Sequence, residues 1–115
     1  MPERWLTYRS SDGSLYVDFY FVEYEDGSGW RIYIISPINY RGHPDGLSIT
    51  HRIQDDGESY PYICWSQRIA TYENALAVAA LWADVTALYV QGKGTLMRSH
   101  ASCADRRYTC IQNLR

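Results

Sequence analysis

The sequence predicts an α+β fold: an antiparallel β-sheet of about five strands built from hairpins, packed by one long helix in the C-terminal half. Three observations predict it. Asp12-Gly13, Asp26-Gly27 and Asp56-Gly57 each sit between runs rich in β-branched and aromatic residues, the pattern of a hairpin turn. Apolar and polar side chains alternate along the first two hairpins. From Thr71 to Val90 helix-forming residues then take over.

With each Asp-Gly pair at the centre of a type I′ turn, the numbers of cross-strand partners sum to 25, 53 and 113 in the three hairpins. The first two hairpins share the strand from Ser14 to Tyr24, so their registers test each other. Leu6 falls opposite Phe19 and Phe19 opposite Ile34; Tyr8 falls opposite Val17, and Phe21 opposite Ile32. A side-chain period of two puts all of these, with Leu15, on one apolar face, the natural core. The other face carries Trp5 opposite Tyr20 opposite Tyr33, with Arg9 opposite Tyr16, Thr7 opposite Asp18 and Val22 opposite Arg31.

The third turn pairs Ile49 with Cys64, His51 with Tyr62 and Ile53 with Tyr60 on one face, and Ser48 with Trp65, Thr50 with Ile63 and Arg52 with Pro61 on the other. Pro61, which donates no backbone hydrogen bond, marks a sheet edge or an outward position. Residues 36–46, dense in Gly, Pro and Asn, read as an exposed loop of a length often given to function. Thr71 is the expected helix N-cap, with Glu73 in the first turn where a negative charge suits the dipole. Val78, Leu81, Trp82, Val85, Leu88 and Tyr89 fall on one side and Glu73, Ala80, Asp84, Ala87 and Gln91 on the other, so the former is read as the packed side. Gly92-Lys93-Gly94 supplies the stop. The chain thus divides into a single α+β domain, residues 1–92, and a tail, residues 93–115, in which Tyr108-Thr109-Cys110-Ile111 is the stretch that reads as a short final strand.

Composition narrows the function. Hydrophobic residues make up 46% and charged residues 21%, the balance of a folding chain of 115 residues with one domain and no membrane-spanning run. The start, Met1-Pro2-Glu3-Arg4-Trp5, has no basic region followed by an apolar core, so a cytoplasmic location and three cysteine thiols are expected. Tyr numbers 11 and Trp 4 against 2 Phe, and Lys93 is the one lysine among 11 basic residues. Tyr, Trp and Arg are the side chains enriched at protein–protein interfaces. Charge is divided unevenly: residues 1–92 hold 12 acids against six arginines, a formal −6, and residues 93–115 hold five basic residues against Asp105, a formal +4. An acidic body repels phosphate.

Chemistry-bearing clusters are weak. His100, Cys103 and Cys110, with Cys64 or His43 as a fourth ligand, match no zinc spacing. Cys64 lies diagonally across from His51, conceivable as a nucleophile pair, yet both sit in mid-strand without a turn to present a nucleophile. The acids Glu23, Glu25 and Asp26, and Asp55, Asp56 and Glu58, gather at hairpin tips, where they serve turns and solubility. No phosphate loop, nucleophile elbow or HExxH occurs. No catalytic residue, metal ligand or cofactor is assigned, and a small metal-dependent or cysteine-based enzyme is the last of the readings.

The strongest signal is the outer face of the sheet. A helix on the aliphatic side leaves Trp5, Tyr20 and Tyr33 in a row toward solvent, with Arg9, Tyr16, Asp18, Tyr24 and Arg31 around them, and these eight residues are the expected partner-binding set. The competing arrangement puts the helix on the tyrosine face, with the tail or a second copy, in a homodimer, over the aliphatic one.

Around Trp30-Arg-Ile-Tyr-Ile, Tyr60-Pro-Tyr-Ile-Cys-Trp65 and Ala80-Leu-Trp-Ala-Asp84 the chain resembles short uncharacterised accessory proteins of bacterial mobile genetic elements, phages and conjugative elements among them. The resemblance implies a class, small acidic single-domain proteins akin to host-defence inhibitors, and carries over no site residue. Together with the charge and the aromatic row, the expectation is a non-catalytic protein-binding module: an inhibitor of a host defence nuclease, of the anti-CRISPR or anti-restriction kind, that imitates nucleic acid. A single-stranded nucleic-acid binder, stacking bases on the row and holding phosphate with the basic tail, is the alternative.

Overall fold

A computed structural model describes residues 3–93. The chain forms β1 (Glu3–Arg9), β2 (Tyr16–Glu23), β3 (Trp30–Ile34), β4 (Arg52–Ile53), β5 (Tyr62–Ile63) and α1 (Tyr72–Val90). All strand pairs are antiparallel, in the order β1-β2-β3-β5-β4. The α+β architecture read from the sequence is therefore the one observed. Among the described residues no helix is long and apolar enough to cross a membrane. The expected final strand of the tail lies outside them.

Both shared-strand registers are as expected: Leu6 faces Phe19, Trp5 faces Tyr20, Phe19 faces Ile34 and Tyr20 faces Tyr33. The turns that set them differ from type I′, which needs a left-handed residue at both central positions. Gly13 and Gly27 are left-handed, at φ 76° and 73°, but Asp12 and Asp26 are not. Each loop instead has four residues: Gly13 N–H bonds to Ser10 O and Ser10 N–H to Leu15 O, and Gly27 N–H bonds to Tyr24 O and Tyr24 N–H to Gly29 O. The carboxylates of Asp12 and Asp26 accept from the backbone of Ser14 and Ser28. Two-residue and four-residue loops about the same centre leave partner sums unchanged, so the register survives the change of turn.

The third hairpin departs further. Arg52 faces Ile63 and Ile53 faces Tyr62, a slip of two residues from the expected register. Glu58 N–H still bonds to Asp55 O across Asp56-Gly57, and Cys64 N–H to His51 O turns the even residues of β5 toward β4, so Pro61, whose carbonyl accepts from Ile34 N–H, lies on the β3 side and its missing donor bears on β3. His51, with φ 57°, breaks the strand before Arg52. A slip of two keeps every residue on its original face.

The aliphatic face is the core. Val17, Phe19, Phe21, Ile32 and Ile34 are fully or almost fully buried, with Leu6, Tyr8 and Leu15 packed beside them. α1 covers this face, with its buried side rotated from the expected one: Val78 and Trp82 are buried as expected and Leu81, Val85 and Tyr89 pack at the core's margin, but the centre shifts toward the alanines. The buried residues are Ala75, Val78, Ala79, Trp82, Ala83, Thr86, Ala87 and Val90. Ala87, expected toward solvent, is 0% exposed, whereas Leu88, expected in the core, is 42% exposed. Alanines bring the helix axis close to Phe19 and Phe21, and Trp82 fills the remaining space, edge-on to Phe19 at 6.2 Å with its Nε1 bonded to Thr50 O. Bulk misleads the pattern: the helix packs through its small residues.

The helix ends are as expected. Thr71 caps Asn74 N–H, and Gly92, at φ 74°, bonds back to Tyr89 O while Lys93 N–H reaches Leu88 O, a Schellman closure. Asp84, expected on the solvent side, accepts from Ser11 N–H, the Ser11 hydroxyl and Tyr8 Oη, tying the first hairpin to the helix. The 36–46 loop is largely exposed, as expected, with Tyr40 as its buried residue. Tyr40 is buried against Tyr89, whose hydroxyl bonds to Pro44 O.

Packing through alanine has a measurable consequence. Ala87→Leu is expected to lose about 1–3 kcal/mol of stability by overpacking, whereas Leu88→Ala stays within about 0.5 kcal/mol of the parent. Urea denaturation of the two variants decides which side of α1 meets the sheet.

Candidate protein-docking surface

The two-residue period that buries Phe19 and Phe21 turns Tyr20 outward, and the registers bring four ring-bearing positions into line. Trp5 faces Tyr20, Tyr20 faces Tyr33 and Tyr33 faces Tyr62. Successive ring centroids are 4.4, 6.3 and 5.9 Å apart, all tilted or edge-on, the spacing at which aromatic pairs attract. The row crosses β1, β2, β3 and β5 on the side away from α1. Trp5 is 66% exposed and Tyr16, further along β2, 60%.

One cation organises the far end. The Arg31 guanidinium lies 3.9 Å from the centroid of the Tyr62 ring, and 5.6 and 5.9 Å from those of Tyr24 and Tyr33. Its Nη1 donates to Tyr33 Oη at 3.3 Å and to Asp55 Oδ2 at 3.4 Å, and lies 3.9 Å from Glu58 Oε1. The same carboxylates accept hydrogen bonds from the phenols: Tyr33 Oη donates to Glu58 Oε2 at 3.0 Å and Tyr62 Oη to Asp55 Oδ1 at 3.2 Å. The 54–61 loop is thereby pinned over the sheet, and the orientations of two rings are set before any partner arrives.

Ionisation follows this geometry. Burial pushes the Tyr33 phenol above its ordinary value; Arg31 opposes the shift and Glu58 adds to it. Burial does the same to Tyr62, with Arg31 against and Asp55 in favour. Burial disfavours the Arg31 charge, yet bonds with Tyr33 and Tyr24 leave its pKa raised.

The expected site residues divide into three groups. Trp5, Tyr20 and Tyr33 form the row, and Tyr16 and Asp18 lie on the same face, Asp18 accepting from Thr7 Oγ1. Arg9 is exposed but leans over the first turn, where a Cβ on Gly13 would lie 2.6 Å from its Nη2. Arg31 and Tyr24 are half-buried: Arg31 braces the row, and Tyr24 sits between Arg31 and Arg68, whose guanidiniums lie 5.6 and 5.4 Å from its ring centroid. Tyr62, Asp55 and Glu58 were missed, because the expected register of the third hairpin set Tyr62 beside His51. Pro61 bears on the row from the β3 side: its carbonyl accepts from Ile34 N–H, next to the Tyr33–Tyr62 pair. Beyond Arg31 the surface dips into a cleft of about 330 Å³ lined by Tyr24, Arg31, Tyr62, Trp65, Ser66 and Arg68.

The chemical candidates fare differently. Cys64 and His51 are both buried, and the bond between them runs from Cys64 N–H to His51 O, backbone to backbone. His100, Cys103 and Cys110 lie outside the described residues, among which no group of three or more His, Cys, Asp or Glu is placed to hold a metal ion.

The network has a pH signature. Because the folded pKa values of Tyr33 and Tyr62 lie above the ordinary 10.0, their contribution to stability is complete below that pH and disappears as pH rises through the folded values. Alkaline titration followed by tyrosinate absorbance should place Tyr33 and Tyr62, with Tyr8 and Tyr40, among the phenols that ionise late, and Arg31→Ala, which removes the cation opposing the shift, should move Tyr33 and Tyr62 later still.

No protein-family model, curated protein sequence or solved structure matches the chain.

Proposed function

We propose that this chain is a non-catalytic protein-binding module that docks through the outer face of its sheet. The observation that carries the reading is the continuous row Trp5–Tyr20–Tyr33–Tyr62, held open on the side opposite α1 and braced by Arg31, Asp55 and Glu58. Rings fixed in advance lose little freedom on association, and exposed Trp and Tyr are the side chains that most often anchor interfaces. A cleft at one end of the row supplies a concavity for a partner's side chain.

The partner proposed is a host defence nuclease with a basic nucleic-acid groove. Exposed carboxylates support this choice: Asp18 and Asp55 lie on the face, and Glu25, Asp26 and Asp56 at the adjoining loop tips. Set along a groove that normally holds phosphates, they complement its charge and steer association, while the rings supply contact area. Inhibition is then competitive with nucleic acid and weakened by salt. These carboxylates also weigh against a nucleic-acid ligand for the same face.

Trp5→Ala and Tyr33→Ala are each expected to weaken the nuclease complex by about tenfold or more, measured by calorimetry alongside nuclease inhibition. Unchanged affinity in both variants defeats the proposal. Oligonucleotide binding by the full chain that falls steeply with salt and disappears on removal of residues 93–115 assigns the row to base stacking instead.

A further inference from the structure

We propose that a second copy of this chain docks antiparallel along the open edge of β1, joining two sheets into one and bringing the two aromatic rows together at Trp5. The sheet has two outer strands of very different character. β4 has two residues and offers little to pair with. β1 has seven, runs in unbroken register with β2, and contains neither a proline nor a bulge. Long, regular edges of this kind are what folded proteins otherwise shorten, bend or cover. Among the described residues no strand pairs with the far side of β1.

The hydrogen-bond parity of that edge can be read from its ends. Ser10 N–H bonds to Leu15 O, so the pairs of Tyr8, Leu6 and Arg4 continue the bonded ladder toward β2. Ile35 N–H to Asp18 O and Tyr24 N–H to Gly29 O agree, because they turn the even residues of β2 toward β3. The odd residues of β1, Glu3, Trp5, Thr7 and Arg9, therefore direct N–H and C=O outward.

A two-fold axis at Leu6 uses all four. Trp5 then exchanges backbone bonds with the partner's Thr7, and the position of Glu3 falls opposite that of the partner's Arg9 at both ends. Leu6 meets the partner's Leu6 on the inner face, where Leu6 and Tyr8 are only half-buried although Phe19 and Phe21 beside them are fully enclosed. Sliding the register by two residues either way leaves Arg9 or Glu3 beyond the end of the partner strand. In the central register the two Trp5 positions are diagonal neighbours, about 7–8 Å apart and within reach of indole rings.

The test stands apart from any nuclease assay. Sedimentation of the full chain across the micromolar range is expected to give twice the 13.3 kDa chain mass. Thr7→Pro is expected to give a monomer with an unchanged far-UV circular dichroism spectrum, because the Thr7 N–H faces outward and no bond to β2 is lost. Arg9→Glu is expected to weaken the dimer by about tenfold, and Glu3→Arg added to it to restore the dimer. The proposal is overturned by a chain that stays monomeric throughout, by a dimer indifferent to Thr7→Pro and Arg9→Glu, or by dimers that form only after residues 94–115 are removed, which would place the tail on this edge.

Discussion

The seating of α1 on the aliphatic side of the sheet decides what the molecule shows to its surroundings. A sheet has two faces and this domain has one long helix, so covering Val17, Phe19, Phe21, Ile32 and Ile34 commits Trp5, Tyr20 and Tyr33 to the opposite side. The choice is energetically one-sided. Exposing five large aliphatic and Phe side chains would forfeit roughly 1.5–3 kcal/mol for each, whereas Tyr and Trp keep a polar atom that water can satisfy. The alanines of α1 strengthen the bias, because they let the helix backbone approach the Phe rings and leave Trp82 as the one large side chain to be fitted.

Most of this sorting is legible in the sequence because period two is a strict rule. Once Leu6, Phe19 and Ile34 share a face, Trp5, Tyr20 and Tyr33 must share the other, whatever the turn between them. The turn types themselves were misjudged, yet Asp12-Gly13 and Asp26-Gly27 remain at the centres of their loops. The helix face was harder to read. A pattern weighted toward bulk selects Leu88 over Ala87, while the sheet demands close approach and selects the reverse. The third hairpin was least legible, because the left-handed His51 interrupts its first strand, and that break does not show in hydrophobic alternation.

The acidic excess of the body also divides once positions are known. Asp84 and Asp12 are structural: Asp84 fastens the first hairpin to α1, and Asp12 accepts from Ser14, Gln91 and Ser10, bonds that hold its carboxyl well below the usual range, those from Ser14 contributing most. Asp55 and Glu58 are committed to Arg31 and two phenols. Formal charge counts these four with Asp18, Glu25, Asp26 and Asp56, but the latter group stands more freely toward solvent. A docking partner meets a field set by where carboxylates stand, and composition alone overstates it.

The same network accounts for the preference for Tyr and Arg over Phe and Lys. At positions 33 and 62 a Phe ring would extend the row equally well, but it would leave Glu58 and Asp55 without the phenol donors that hold the 54–61 loop across the sheet. At position 31 a lysine supplies charge without a plane. Arg31 lies close over the Tyr62 ring while its Nη1 reaches Tyr33 and Asp55, and a planar, delocalised cation can stack and donate at once. A compact ammonium could satisfy the carboxylates or approach the ring, but its geometry does not serve both. The composition that first set this chain apart is, at its centre, the requirement of one guanidinium bracing aromatic side chains on an open sheet.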